Sequence, residues 1–129
     1  PRAAVQIRGL ELVRDGSGPC VFLVQAHPKE AEELVGPQQV QETRTLADML
    51  LPCRVCSILY DEEASRCLSL TALVAQYSSR VLGHLQSHPS DGEAVALVGW
   101  SLSCAVAHGI SIRLKRAGVE NVQLLLFES

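Results

Sequence analysis

Gly99-Trp100-Ser101-Leu102-Ser103 sets a serine between two small residues. The apolar run Ala94–Gly99 leads into it, and a helical pattern rich in small residues, Leu102–Ala117, leads away. A seryl hydroxyl is a poor nucleophile until a base takes its proton and the backbone holds it within reach of its target. A tight turn from a buried strand into a helix does the holding and lifts the side chain above the end of a sheet. Such a turn requires little bulk two residues before the serine and two after it, which Gly99 and Ser103 satisfy. The following helix offers the Leu102 amide to a developing oxyanion and aims its positive end at that charge.

The other residue types that do chemistry are less well arranged. Cys53-Arg54-Val55-Cys56 has CxxC spacing, but it falls in a strand pattern rather than at a helix start, where a redox pair works. His84 and His88 lie four apart at a helix end. That spacing can place two imidazoles on one face, yet Pro89 follows and the sequence shows no third ligand, so no metal site is expected. His108 lies about two helical turns beyond Ser101, too far down the helix to reach its hydroxyl. His27 is a candidate surrogate base. Lys29 with Glu30, Glu32 and Glu33, and Asp61-Glu62-Glu63, read as solvated charge. No glycine-rich phosphate or dinucleotide motif occurs.

The positioning elements follow from hydrophobic pattern. Val5–Arg14 alternates as an antiparallel edge strand or hairpin arm. Cys20–Val24, Cys53–Tyr60, Ala94–Gly99 and Val122–Phe127 are apolar runs typical of strands buried on both faces. Leu70, Leu73, Val74, Tyr77, Val81 and Leu85 have helical spacing, which predicts an amphipathic helix over Leu70–Gln86. The Leu102–Ala117 helix ends in Lys115 and Arg116, with Gly118 as its left-handed stop. A shorter helix is expected at Thr45–Leu51, a helical turn at Lys29–Leu34, and a loop at Asp61–Cys67. Alternating strands and helices predict an α/β fold, with a mostly parallel sheet and helices on both faces.

Composition narrows the class. The 129 residues suit one domain or a piece of one, and 47% are hydrophobic. A net charge of −3 offers no basic face for nucleic acid. No run approaches a membrane span. The five cysteines, an odd count in apolar surroundings, point to free thiols in a reducing, cytoplasmic setting.

Val98–Ala107 resembles the nucleophile elbow of thioesterase domains of the α/β-hydrolase superfamily, found at the end of fatty acid, polyketide and non-ribosomal peptide synthases. Ser103 stands where the Gly-x-Ser-x-Gly pattern has its second glycine. Phe22-Leu23-Val24 followed by His27-Pro28-Lys29-Glu30 resembles their oxyanion strand and loop. Ser69–Leu85 resembles the helix before the nucleophile strand, and Leu125–Ser129 the strand that carries the triad acid. The resemblance implies a partial α/β-hydrolase fold, with residues 1–129 the amino-terminal part of the domain and the strand-turn-helix at 94–117. It implies Ser101 as nucleophile, the amides of Leu102 and Lys29 as oxyanion hole, and Glu128 as triad acid. The catalytic histidine is then expected beyond Ser129.

The implied reaction is release of an acyl chain from a thioester through an acyl-serine. The acyl group would arrive on coenzyme A or on the phosphopantetheine arm of an acyl carrier protein, with no cofactor held by this chain. The same resemblance fits a catalytically incomplete module that docks a carrier protein or neighbouring domain. Either way, the apolar strand 122–127 is expected at the sheet edge, covered by the rest of the polypeptide or by another chain.

Overall fold

The computed structural model describes residues 7–16, 19–26 and 53–127. They form a five-stranded sheet in the order β1-β3-β2-β4-β5: β1 Leu10–Arg14, β2 Cys20–Val24, β3 Arg54–Ile58, β4 Val95–Trp100 and β5 Val122–Phe127. β2 to β5 are mutually parallel, and β1 runs antiparallel on the outer edge of β3. The fold is thus α/β with a mixed sheet in which parallel pairing dominates. The alternating segment near the amino end is the antiparallel edge, joined to β3 rather than to its chain neighbour β2.

Among the described residues three α-helices accompany the sheet: α1 Glu62–Ser65, α2 Leu70–Ser87 and α3 Ser103–Arg116. A 3-10 turn at Pro89–Glu93 links α2 to β4. Ser69 caps α2 by accepting the Ala72 amide at 3.1 Å, which satisfies one of the first-turn donors. At the end of α3, Gly118 adopts φ +98°. The Gly118 amide then reaches the Lys115 carbonyl and the Val119 amide that of Leu114, each closing an orphan acceptor. α1 corrects the expected loop over Asp61–Cys67. Its signal is Asp61, whose carboxylate accepts the Ala64 amide at 3.0 Å.

Both long helices lie on one face. Leu73, Val74, Tyr77, Val81 and Leu85 of α2, and Val106, Ala107, Ile110 and Leu114 of α3, share a core with Cys20, Phe22, Val24, Cys56, Ile58, Val95 and Leu97. The opposite face of the sheet carries Val21, Leu23, Val55, Ala96 and Val98. Helices on both faces are therefore not found among the described residues. Handedness gives the reason: the β3-to-β4 and β4-to-β5 crossings run the same way along the sheet, and a right-handed crossover puts both on one side. The reverse crossing, β2 to β3, runs through residues 27–52. The expected helix at Thr45–Leu51 and turn at Lys29–Leu34 fall there, outside the described residues. Among the described residues, no helix is long and apolar enough to cross a membrane.

β5 departs from the pattern expected of a strand buried on both faces. It forms the far edge, as expected of it, and Leu126 and Phe127 remain 46% and 44% exposed. An apolar run by itself does not separate a central strand from an edge.

Candidate functional site

Ser101 follows the last residue of β4 and has φ +56°; among the described residues, no other non-glycine has positive φ. A side chain in that region costs about 1–3 kcal/mol, so the surroundings must hold it there. Three contacts do so. The Ser101 amide donates to the Phe127 carbonyl at 3.1 Å, and the Cys104 amide to the Ser101 carbonyl at 3.1 Å. Ser103 is buried, and its Oγ accepts the Trp100 amide at 2.8 Å and donates to the Trp100 carbonyl at 3.0 Å. A hydroxyl at this position thus closes the turn with two bonds that glycine lacks. The Cys104 thiol also reaches the Phe127 carbonyl at 3.4 Å.

Close packing explains Gly99. A Cβ there would stand 2.8 Å from the Ser103 carbonyl oxygen and 3.0 Å from both Cys104 Cα and Ala107 Cβ. Two of those three atoms are backbone and cannot yield. Leu102 is the cap residue of α3, and its side chain is 71% exposed. The helix proper starts at Ser103, one residue later than the sequence pattern suggests. Ser101 itself is exposed.

β2, the neighbour of β4, is anchored at the same end. Leu23 pairs with Val98, which sets Gln25 level with Trp100 by register. The Gln25 amide donates to the Ile58 carbonyl at 3.1 Å. Its side chain donates to Ser57 Oγ at 3.2 Å and accepts the Tyr60 amide at 3.3 Å. The Tyr77 hydroxyl donates to the Gln25 carbonyl at 2.8 Å, and burial holds that phenol above its ordinary pKa, so it stays a donor. The chain that leaves β2 toward residue 27 therefore departs from a fixed point. Between β2 and β4 the sheet order reverses, and crevices open past the carboxyl ends of strands at such points.

Of the residues singled out from sequence, Gly99, Ser101, Leu102 and Ser103 meet in one turn. Lys29, His27 and Glu128 lie outside the described residues. His108 is exposed on α3. Arg80 braces this end of the sheet from α2. Its guanidinium is buried, donates to the Leu59 carbonyl at 2.8 Å and pairs with Asp61 at 2.7 Å.

The opposite end holds a second polar cluster that the sequence did not reveal. Arg54 Nη1 donates to both oxygens of Asp91, at 3.0 and 2.9 Å, and Arg54 Nε donates to Asp15 at 3.0 Å. Burial works against the Arg54 charge, but the two carboxylates raise its pKa. The Gly16 amide and Arg54 hold the Asp15 carboxyl below its usual value. Asp91 Oδ2 lies 2.8 Å from Nε2 of His84. His84 stacks on His88 at 4.4 Å and meets the Phe22 ring edge-on at 5.6 Å. Beside His84 stand the buried thiols of Cys20 and Cys56, the sulfurs and an imidazole nitrogen all within 4.8 Å of one another. The contact with Cys56, together with burial, pushes the Cys20 thiol far above its ordinary range, and the same contact lowers Cys56. All five cysteines are free. Strand register is the signal that would have found this cluster, since it joins residues distant in the chain. Comparison with protein families, curated proteins and solved structures gives no match to this chain.

Proposed function

We propose that this chain is part of a serine thioesterase-type hydrolase, with Ser101 as its nucleophile. The positive φ of an exposed serine between a buried parallel strand and a helix carries the reading. A fold does not hold a non-glycine residue there without several bonds to keep it, and such strain concentrates where chemistry is done. In this reading Ser101 Oγ attacks the thioester carbonyl carbon as a histidine base outside this sequence takes its proton. The oxyanion is held by the amides of Leu102 and Lys29. Collapse breaks the carbon–sulfur bond, and the thiol leaves with the proton from the base. Water then attacks the acyl-serine by the same route. Glu128 orients the base. The substrate is an acyl thioester of coenzyme A or of a carrier-protein phosphopantetheine arm.

The test is covalent labelling of the longest natural polypeptide that contains this chain with a fluorophosphonate probe. One equivalent on Ser101, lost in Ser101→Ala, is expected. A folded protein with no label at Ser101 rejects the reading. The exposed Leu126 and Phe127 on the sheet edge favour a second reading, a docking module that recruits a carrier or neighbouring domain there. Binding of that domain without any turnover distinguishes it.

A further inference from the structure

The buried cluster at the amino end of the sheet has the makeup of a metal centre, and it is independent of the serine. Cys20 and Cys56 sit on adjacent parallel strands and point into the core that α2 covers. α2 supplies His84 from above. The three side chains are 0%, 3% and 8% exposed, and their donor atoms lie within 4.8 Å of one another. Tetrahedral zinc with two sulfurs and an imidazole needs donor separations of about 3.5–3.8 Å, within reach of small side-chain rotations.

A disulfide is the other use for two neighbouring cysteines, and register argues against it. Cys20 pairs with Arg54 and Phe22 with Cys56. The two cysteines are thus two positions out of step, which puts their Cα atoms about 8 Å apart. Disulfides require less than about 7 Å.

The surroundings match what a ligating histidine needs. Asp91 Oδ2 lies 2.8 Å from His84 Nε2, so an Nε2–H donating to that carboxylate fixes the ring and keeps Nδ1 for a metal. Arg54 in turn neutralises Asp91. We infer that Cys20, Cys56 and His84 bind one zinc ion, with Asp91 as the carboxylate that orients His84. Charge selects a divalent ion: two thiolates balance Zn²⁺, and Arg54 and Asp91 balance each other, so the buried group is neutral. Binding replaces two S–H bonds with two S–Zn bonds and releases two protons to solvent, with no change of oxidation state. Three protein ligands leave the fourth tetrahedral position to a water molecule, and with all three side chains buried the ion serves to fasten β2 and β3 to α2.

The experiment refolds the chain under a non-thiol reductant with Zn²⁺ or, as a spectroscopic stand-in, Co²⁺. One zinc per chain after gel filtration is expected, along with release of about two protons per ion and a thiolate-to-cobalt charge-transfer band. The paired replacement Cys20→Val with Cys56→Val keeps apolar, strand-forming residues in the strands. It should fold, as judged by circular dichroism, and bind no zinc. Cys53→Ser should retain the ion. Asp91→Asn should weaken zinc about 10- to 100-fold. A folded wild-type chain that takes up no zinc overturns the inference. So does an ion that survives in the double valine variant or depends on Cys53.

Discussion

The two ends of the sheet solve opposite problems. At the carboxyl end of β4 the backbone is strained, the side chain of interest is exposed, and main-chain hydrogen bonds hold the turn. At the amino ends of β2 and β3 the backbone is ordinary, the side chains are buried, and each charge has a partner within 3.0 Å. One end places an exposed serine against the backbone preferences of its own residue. The other gathers groups that would be costly alone and makes them harmless together. Damage at the two ends should therefore differ: at the first, labelling of Ser101 should fall along with stability; at the second, stability should fall while labelling is kept.

The largest effect expected tests the buried end. Asp91→Asn removes the buried carboxylate from His84 and from Arg54 Nη1, leaving Arg54 only the exposed Asp15, and should cost about 3 kcal/mol in chemical denaturation. Folded molecules should keep their reactivity at Ser101. At the strained end, Gly99→Ala drives a methyl against backbone and should cost about 2 kcal/mol and remove fluorophosphonate labelling. If labelling persists, the turn tolerates more bulk than its packing indicates. Ser103→Ala removes the partner of the Trp100 amide and should cost about 1.5 kcal/mol. Labelling should fall in parallel because the turn loosens.

Ser101→Gly reverses the sign. Glycine adopts positive φ freely, so thermal or denaturant unfolding should show a gain of about 1 kcal/mol. Ser101→Ala should show no such gain, while both variants lose the label. Equal stability of the glycine and alanine variants would mean that no strain is stored at residue 101.

The smallest effect concerns acid. Burial resists ionisation of Asp61, but the Ala64 amide and Arg80 outweigh it and lower its pKa. Its stabilisation is complete above the unfolded carboxylate value of about 3.9 and is lost as pH falls through the lower folded value. Asp61→Asn keeps a side-chain cap on α1 and should flatten the stability profile below about pH 4.

Local features were legible before any coordinates, and composite ones were not. The bounds of β2 and β5 match the apolar runs residue for residue, since glycine, proline and polar residues flank them. The strand–turn–helix around Ser101 was readable because its parts are contiguous. The cap on α1 was missed because three acidic residues in a row look like solvated loop, although Asp61 stands three residues before the amide it accepts. The edge position of strand 122–127 is the one expected, but its apolar run alone reads as burial on both faces, because burial depends on which strand is outermost. The meeting of Cys20, Cys56, His84 and Asp91 depends on register between strands and on the height at which α2 crosses them. The Cys53/Cys56 spacing says nothing of Cys20, which meets Cys56 across the sheet.

The carbonyl of Phe127 has a consequence for the order of assembly. It accepts the Ser101 amide and the Cys104 thiol, yet it is synthesised more than twenty residues after both. A nascent chain can raise β4 and wind α3 while the serine still wanders. The turn gains its last backbone and thiol bonds only when the later strand arrives and clips the corner shut.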